Sequence, residues 1–551
     1  MKIFPLITIL FILACGAAFA SPPRDWSYLK DKPTNFRPCG TMSSQTQNTL
    51  RQKGVIRMPG TPGVISNKTY KVLVIRVHFS GGDAISTSMS DTKSFFASLR
   101  NYYYENSYHL LTVTATITTP DYLLPSAVSG YNNETDSGLQ LLINDSVTAV
   151  INSSSTYPCD FSQFDHVMIY HKGYGEEETG ATGDIWSMYY DYSFTANTKT
   201  FHGATIVPSE AYHTSYSPLG VICHEYGHQL GLPDLYDTSV SGGRSICGAW
   251  TLMDYPYGAD NTGIHPPHLD PWCKNYLKFI DLSSNECSSA SANFTFLPIE
   301  TSQNSGFVKM PITTGSQEYF IAELRQYNSS AMLYDASLPG NGILVWHIDD
   351  SIALDSARQS LNDLNTSAPH NAISIVTSDG KKSFPPGKAN DPFSTGTAFT
   401  TPFSNSFAGT VSGISLSNIS IVDGTALAAV ATYASSTDMS INKTINYPNP
   451  AGKGYLHPKA ASGILTTITA TLSKAPSSLG LEIYDLIGNK VKTFPTSQIT
   501  LNGKPSGDYK WVYECDWNGN NDNGENVAPG LYLYRFKADN STRTGKLVIV
   551  R

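Results

Sequence analysis

The stretch CHEYGHQLGLPDLYD, residues 223–237, carries the spacing from which the fold of this chain is deduced. Ser217 and Pro218 precede it as a helix start, a capping hydroxyl followed by a proline whose missing N–H costs nothing at that position. Gly231 is a stop signal, because glycine readily adopts the left-handed conformation that ends a helix. The stretch is therefore predicted to form a short helix followed by a sharp turn.

Side chains suited to metal binding share one face of this predicted helix. His224 and His228 are four residues apart, so their rings can converge on one ion. Glu225 lies on the adjoining side, where a general base can reach a metal-activated water. A catalytic zinc takes three protein ligands and leaves one position open. Asp234 is predicted to be the third ligand; its alternative is a simple turn residue, and the preceding helix favours the ligand.

Composition limits the class of protein. The chain has 551 residues and a net charge of -8, and 15% of its residues are charged, without a lysine or arginine block. A chain of this length is expected to form two to four domains. The absence of a basic block argues against nucleic acid as a partner.

The N-terminus predicts export. Lys2, an apolar run over residues 3–14 and the small residues around position 19 are typical of a signal peptide, here residues 1–20. The alternative, a membrane anchor, is disfavoured because the run is short for a bilayer. No later segment of the sequence reaches spanning length. The mature protein is expected to be secreted, extracellular or at the cell surface.

The motif and its continuation resemble a known family. H-E-x-G-H-x-x-G-x-x-D, followed by GAWTLM at residues 248–253, is similar to the immune inhibitor A family of secreted bacterial zinc metalloproteases, part of the wider metzincin group. The resemblance covers residues 70–350. It implies a multidomain protein with an α/β metzincin-like catalytic domain over residues 70–290 and a β-rich domain packed on it over residues 291–435.

The resemblance also suggests roles for two residues beyond the helix. Met253 matches the methionine turn that lies beneath the metal in metzincins; its alternative is a core methionine filling a gap. Tyr255 is similar to the tyrosine that astacins and serralysins place near the metal, an analogy that implies a role at the site.

Elements before the motif also match the family. KVLVIRVHF, residues 71–79, alternates like a half-buried strand, and an amphipathic helix is predicted from Asp91 to near Tyr108. Residues 164–186 resemble the family's strand and glycine-rich loop. The acidic residues of this loop have two interpretations, a calcium site or a solvated acidic loop, and the second is favoured; they are Glu176, Glu177, Glu178 and Asp184.

Residues 21–69 are predicted to be a propeptide, since a secreted protease is held inactive during export. Within them Arg37-Pro38-Cys39-Gly40 resembles the cysteine switch of matrix metalloproteases with its first two residues exchanged. The Cys39 thiolate is then a candidate for the open coordination position of the zinc. Its alternative is a disulfide with Cys159 or Cys515.

The cysteine count has its own consequence. Seven cysteines remain after the signal peptide, an odd number in a compartment that permits disulfides, so at least one thiol stays outside an intramolecular pair. Cys223 with Cys247 and Cys273 with Cys287 are close enough along the chain to form pairs.

The C-terminal part, residues 436–551, has a different pattern. Short strands recur at regular spacing between turns, which predicts a β-sandwich. YPNP, residues 447–450, and the segments after it resemble the immunoglobulin-like domains of flagellar hook-capping proteins and C-terminal sorting domains. The resemblance implies sorting or surface attachment, through contact with a surface or with secretion machinery.

The function predicted from these observations is a secreted zinc-dependent endopeptidase acting on proteins or peptides. Glu225 is expected to take the proton of the attacking water and pass it to the leaving amine. The alternative is a non-catalytic surface or adhesion protein that retains a metalloprotease fold. The intact Glu225 argues against this alternative, because a structural metal needs no base beside it.

Overall fold

The computed structural model divides the chain into two compact units. Among the described residues, the first holds those within 67–287, 293–398 and 418–431, and the second holds those within 291–292, 399–417 and 432–550. Within the described residues no helix is long and apolar enough to cross a membrane. The predicted signal peptide, Cys39 and nearly all of the predicted propeptide lie outside these residues. The structure describes residues 67–131, 136–153, 159–239, 244–287, 291–313, 316–327, 334–366, 370–381, 387–422, 428–435, 441–455, 457–472, 476–502 and 511–550.

A mostly parallel sheet lies at the centre of the first unit. Its strand order is β2-β1-β4-β8-β5, with β3 beside β1, and β5 at the edge runs antiparallel to β8. A separate hairpin joins β6 and β7. The strands are β1 (Lys68–Phe79), β2 (Leu111–Ile117), β3 (Tyr122–Leu124), β4 (His166–His171), β5 (Met188–Tyr190), β6 (Phe194–Ala196), β7 (Lys199–Phe201) and β8 (Ala204–Pro208).

Helices cover both faces of this sheet. Val72 and Val74 of β1 pack in one buried cluster with side chains of α1 and α4, whereas Leu73 and Ile75 pack in another with side chains of α2. The predicted strand is confirmed, but its half-buried character is wrong, because a parallel sheet carries helices on both faces. The helices are α1 (Met89–Asn106), α2 (Asp136–Ile151), α3 (Glu176–Thr179), α4 (Leu219–Gln229) and α5 (Pro271–Tyr276).

The helix predicted from Asp91 is confirmed as α1. It begins two residues earlier than expected, and the Ser88 hydroxyl accepts a hydrogen bond from the Asp91 N–H at 3.1 Å. This cap satisfies one of the backbone donors left unpaired at a helix start.

A second sheet backs the helix α4. Its four strands, β10 to β13, run antiparallel in chain order. Ile321, Leu344 and Trp346 of this sheet belong to the same buried cluster as Ile222 and Tyr226 of α4. The elements of this region are β9 (Ser291–Phe296), β10 (Phe307–Pro311), β11 (Glu318–Arg325), β12 (Gly342–Asp349), α6 (Asp350–Ala353), α7 (Ser356–Leu361), β13 (Ile373–Val376), β14 (Ile414–Val422) and β15 (Ala428–Ser435).

Two sheets build the second unit. One has the order β16-β18-β22-β21 and the other β17-β24-β23-β19-β20. Ile468 and Trp517 from the first sheet share a buried cluster with Leu481 and Phe536 from the second. The short strands predicted here are confirmed as β18, β19, β23 and β24. The strands of the two sheets are β16 (Ile441–Tyr447), β17 (Ala451–Gly452), β18 (Thr466–Leu472), β19 (Leu479–Tyr484), β20 (Lys490–Pro495), β21 (Thr500–Leu501), β22 (Val512–Trp517), β23 (Gly530–Ala538) and β24 (Ser541–Val550).

Candidate metal centre

The predicted metal-binding helix is α4, and every residue in it is buried. The helix begins one residue later than expected, because Pro218 takes the N-cap position, and the Ser217 hydroxyl before it accepts a hydrogen bond from the Leu219 N–H at 3.2 Å. At the other end Gly231 has a φ of 102°, in the region that favours glycine. The chain therefore reverses directly after α4.

The reversal places three side chains around one point. The Nε2 atoms of His224 and His228 are 3.2 Å apart. Asp234 Oδ1 lies 3.0 Å from the first of these nitrogens and 3.2 Å from the second. All three side chains have no solvent exposure. The structure thus brings the three predicted ligands together in a buried site.

Backbone carbonyls determine which ring nitrogens face this point. The Nδ1 atom of His224 is 2.9 Å from the Leu252 carbonyl oxygen, and that of His228 is 2.8 Å from the Leu232 carbonyl oxygen. A carbonyl accepts only, so each Nδ1 carries its proton, and in the neutral ring each Nε2 presents a lone pair. Two lone pairs and a carboxylate oxygen converge, which fits a bound cation.

The electrostatics of the cluster agree with this fit. Burial lowers the pKa of His224. Burial also opposes protonation of His228, but the Asp234 carboxylate outweighs it and raises the pKa of His228 to about 9. Asp234 is held ionised against its own burial, with its pKa lowered by the two histidines. The site therefore stabilises a positive charge, which a divalent cation supplies when it replaces the proton.

Glu225 lies beside the ligands and is held by the edge strand. One ligand atom of its carboxylate is within 4.8 Å of those of His224 and His228. Its Oε2 accepts a hydrogen bond from the Tyr189 N–H of β5 at 2.8 Å, and the side chain is fully buried. The candidate base is therefore fixed between α4 and β5.

Met253 packs directly against α4. A Cβ atom on Gly227 would lie 2.9 Å from the Met253 sulfur, so the glycine between the histidines leaves the space that the methionine fills. The Met253 carbonyl accepts a hydrogen bond from the Leu235 N–H at 2.8 Å, next to Asp234. The turn that contains Met253 thus contacts α4 before the metal position and Leu235 after it.

Comparison with known proteins agrees with this geometry. Residues 158–281 match the model of the "Immune inhibitor A peptidase M6, catalytic domain" family. This segment, called the M6 segment below, is similar to the catalytic domain of that family. It contains α4, Asp234 and Met253.

Two curated relatives match parts of the chain. The Pre-pro-metalloprotease PrtV of Vibrio cholerae serotype O1 is 34% identical over 132 residues, which cover 21% of this chain and 14% of the relative. Immune inhibitor A of Bacillus thuringiensis subsp. alesti is 30% identical over 224 residues, which cover 32% of this chain and 31% of the relative. The chain thus spans less than a third of the length of either relative.

A solved structure, metalloproteinase-II from Bacteroides fragilis, is 15% identical and covers 42% of this chain and 60% of that chain. Its TM-score is 0.24, a value too low to support an argument about this chain.

Tyr255, the further candidate in the M6 segment, is 2% exposed. Its hydroxyl donates a hydrogen bond to Asn261 Oδ1 at 2.8 Å, and its ring contacts Tyr257 edge-on. These contacts place Tyr255 in a small cluster with Val221 and Ala249. Its role near the metal stays a prediction.

The interpretation of residues 176–184 as a solvated acidic loop is wrong for the three glutamates. Glu176, Glu177 and Glu178 are 2–3% exposed. The Glu177 carboxylate accepts hydrogen bonds from the Ser187 N–H at 3.0 Å and the Ser187 hydroxyl at 2.6 Å, and Glu178 accepts one from the Tyr212 N–H at 2.7 Å. Burial raises the pKa of Glu177 to about 7. The carboxylates of Glu177 and Glu178 hold neighbouring backbone in place.

The expected cysteine pairs do not form. Cys223 and Cys247 are free thiols, and Cys273 is a free thiol that does not pair with Cys287. Cys223, Cys247 and Cys273 are buried in the core of the first unit, where burial raises the pKa of each thiol. Proximity along the chain was a poor guide, because these side chains pack as small apolar groups.

Two site-supporting residues are absent from the sequence prediction. Arg325, the last residue of β11, is fully buried; it donates to the Trp250 carbonyl oxygen at 2.8 Å and pairs with Asp335 at 2.7 Å. No motif in the sequence marks it, because these partners are distant along the chain. Asn362 contacts Asp234 from beyond the M6 segment, and no motif marks it.

Proposed function

We propose that this chain is a zinc-dependent endopeptidase that hydrolyses peptide bonds in proteins. The observation that carries the proposal is the convergence of His224, His228 and Asp234 on one buried point with Glu225 beside it. Three ligands of this kind are the donor set of a catalytic zinc site that keeps a position for water or substrate. The match of residues 158–281 to the M6 family model supports the same reaction.

The bound metal and Glu225 would have different roles in the reaction. Zinc bound there would act as a Lewis acid on the scissile carbonyl and on the attacking water. Glu225 takes a proton from that water and delivers it to the leaving amine. The Tyr189 N–H holds one carboxylate oxygen, so the base keeps its orientation while the proton moves.

The edge strand β5 is proposed to bind the substrate backbone. β5 pairs with β8 on one side and forms the end of its sheet among the described strands. An extended peptide can add to such an edge by backbone hydrogen bonds. Because the Tyr189 N–H of β5 holds Glu225, a peptide lying along β5 would pass beside the base.

The test is metal content measured together with cleavage. The mature chain is expected to contain one zinc ion and to cleave casein, to lose cleavage with a chelator and to regain it with added zinc. Cleavage that survives complete metal removal would refute the proposal. Bound zinc without cleavage of casein or of a peptide library would favour the non-catalytic surface protein.

The flanking regions are proposed to serve export. A signal peptide over residues 1–20, a propeptide over residues 21–69 and a sorting domain over residues 436–551 would deliver a latent enzyme outside the cell. The paired sheets of the second unit, which share one core, support an immunoglobulin-like sandwich for the last of these. Deleting residues 436–551 is expected to retain the enzyme inside the cell, measured by fractionation; unchanged export would contradict the sorting role.

A further inference from the structure

We propose that Asn362 is a positioning residue for the metal ligand Asp234, and that it selects which carboxylate oxygen faces the metal. The inference rests on the proposed zinc site. Asn362 lies outside the matched M6 segment, directly after helix α7. The ligand set would then depend on a part of the chain that the motif does not include.

Both polar atoms of the Asn362 side chain bind Asp234. Its Oδ1 accepts a hydrogen bond from the Asp234 N–H at 2.8 Å, and its Nδ2 donates to Asp234 Oδ2. The other carboxylate oxygen, Oδ1, faces the Nε2 atoms of His224 and His228. One amide therefore fixes the backbone and the side-chain rotation of the third ligand together.

Asn362 is itself held firmly. It is 1% exposed and has a φ of 51°, a left-handed conformation that asparagine tolerates better than most residues. Its N–H donates to the Gln359 carbonyl at the end of α7, and its own carbonyl accepts a hydrogen bond from the Thr238 hydroxyl at 2.8 Å. The contacts to Asp234 thus come from a residue with little freedom to move.

A neighbouring asparagine contacts backbone near Asp234 but not the Asp234 carboxylate. Asn365 Nδ2 lies 2.7 Å from the carbonyl oxygens of both Leu235 and Ile373. Asn365 binds backbone beside the ligand, whereas Asn362 binds the ligand carboxylate. The two residues lie in the same segment and are equally buried, but of the two only Asn362 contacts the Asp234 carboxylate, which makes Asn365 a matched control.

Outer partners of metal ligands restrict the ligand to its productive orientation, and their loss typically weakens metal binding about 10–100-fold. Without the Asn362 amide, the Asp234 carboxylate could rotate and would have to be ordered when the metal binds. The expected defect is therefore in metal affinity and in the geometry at the metal.

The experiment measures zinc affinity of the full-length mature chain by competition with a chromogenic chelator. Asn362→Gly removes the side chain and keeps the left-handed backbone accessible. It is expected to weaken zinc binding about 10–100-fold. Asn365→Ala is expected to lower the melting temperature. Its zinc affinity should stay within about threefold of wild type, because Asn365 does not contact the carboxylate of a proposed metal ligand.

Cobalt substitution supplies a readout that general destabilisation would not move. The visible absorption of the cobalt-loaded Asn362→Gly protein is expected to differ from wild type, because the carboxylate ligand is displaced or reoriented. Asn365→Ala is expected to keep the wild-type spectrum. If Asn362→Gly does not accumulate as folded protein, Asn362→Ser is measured instead, since its hydroxyl is too short to replace both contacts.

Wild-type affinity and spectrum in the Asn362 variant would overturn the inference and leave the proposed function intact. Equal loss of zinc affinity in the Asn362 and Asn365 variants would also overturn it. The loss would then come from the segment that holds both residues and not from the contact between Asn362 and Asp234. A wild-type chain that binds no zinc would instead refute the proposed function itself.

Discussion

The tautomers of the His224 and His228 rings suit them to metal binding, as does their spacing along the helix. The sequence predicts that the two rings share a helix face. The structure adds the carbonyl partners of each Nδ1, supplied by Leu252 and Leu232, which leave both Nε2 lone pairs directed at Asp234. These carbonyls could not be read from the sequence, because any residue provides one.

Zinc affinity is expected to depend on pH through His228. Asp234 raises the pKa of His228 to about 9, so below that pH the metal must displace a proton. Affinity should therefore rise with pH and fall about tenfold for each unit of decrease below 9. Chelator competition between pH 7 and pH 8 measures this slope.

Asp234→Asn is the matched variant for that slope. It removes the charge that raises the pKa of His228, and burial then favours the neutral ring. Zinc binding should become weaker overall and lose most of its pH dependence between pH 7 and 8. An unchanged slope in this variant would show that another group releases the proton.

Among the elements, the turn after α4 was well predicted. Gly231 was expected to end the helix, and its φ of 102° confirms this. The direction in which the chain leaves the turn is what carries Asp234 to the histidines. A side chain at Gly231 should therefore affect both stability and metal binding.

Gly231→Ala is expected to cost about 1–3 kcal/mol of unfolding free energy, the range for strained backbone, and to weaken zinc binding. Gly173→Ala is the control, because its φ of 106° is similar and no atom lies within 4 Å of an added Cβ. It should lose comparable stability without losing zinc affinity. Denaturant unfolding and zinc titration of both variants test this, and an equal loss of zinc affinity would contradict it.

The edge strand β5 depends on a buried carboxylate that the sequence analysis assigned to solvent. Glu177 binds the N–H and hydroxyl of Ser187, two residues before the Tyr189 N–H that holds Glu225. Acidic residues in a glycine-rich stretch resemble a surface loop, and only the tertiary fold shows that they are buried.

Glu177→Ala is expected to lower kcat about tenfold or more, because a misplaced general base forfeits part of its catalytic effect, typically 10²–10⁴-fold. Zinc content should stay unchanged. Glu178→Ala, equally buried but bonded to the Tyr212 N–H, is expected to reduce kcat less. Steady-state kinetics on a fluorogenic peptide measure both, and equal effects would argue against a specific role for Glu177.

For the whole molecule, the metal site draws on the first unit well beyond the M6 segment. Asn362, Arg325 and Trp346 lie in sequence after residue 281, yet they support the ligands, the adjoining turn or the core behind α4. The second unit has a separate core formed from its two sheets. The stability of the proposed metal site is therefore expected to depend on the first unit and not on the second.

A mature chain ending at residue 435 is therefore expected to keep zinc affinity and peptide cleavage within about twofold of the full chain, as independent cores predict. A chain ending at residue 281 is expected to lose both, since it lacks Asn362 and the second sheet. Zinc binding by the shorter chain at wild-type affinity would contradict this account. Circular dichroism of both chains shows whether each one folds.

The sequence predicted best those features that depend on residues close together along the chain. The helix, its stop and the proposed ligands His224, His228 and Asp234 follow from spacing and turn chemistry, and the structure brings those residues together. The cysteine pairs and the exposure of Glu177 were wrong because both depend on long-range packing. Asn362 was missed for the same reason, since its partner lies 128 residues away.

The central claim is that Glu225 acts as the base beside a zinc ion held by the other three residues. The most direct test is zinc content and peptide cleavage of the Glu225→Gln protein compared with wild type. The account predicts one zinc per chain in both proteins, with cleavage reduced about 10²–10⁴-fold or more in the variant. Loss of zinc from the variant, or cleavage at the wild-type rate, would contradict it.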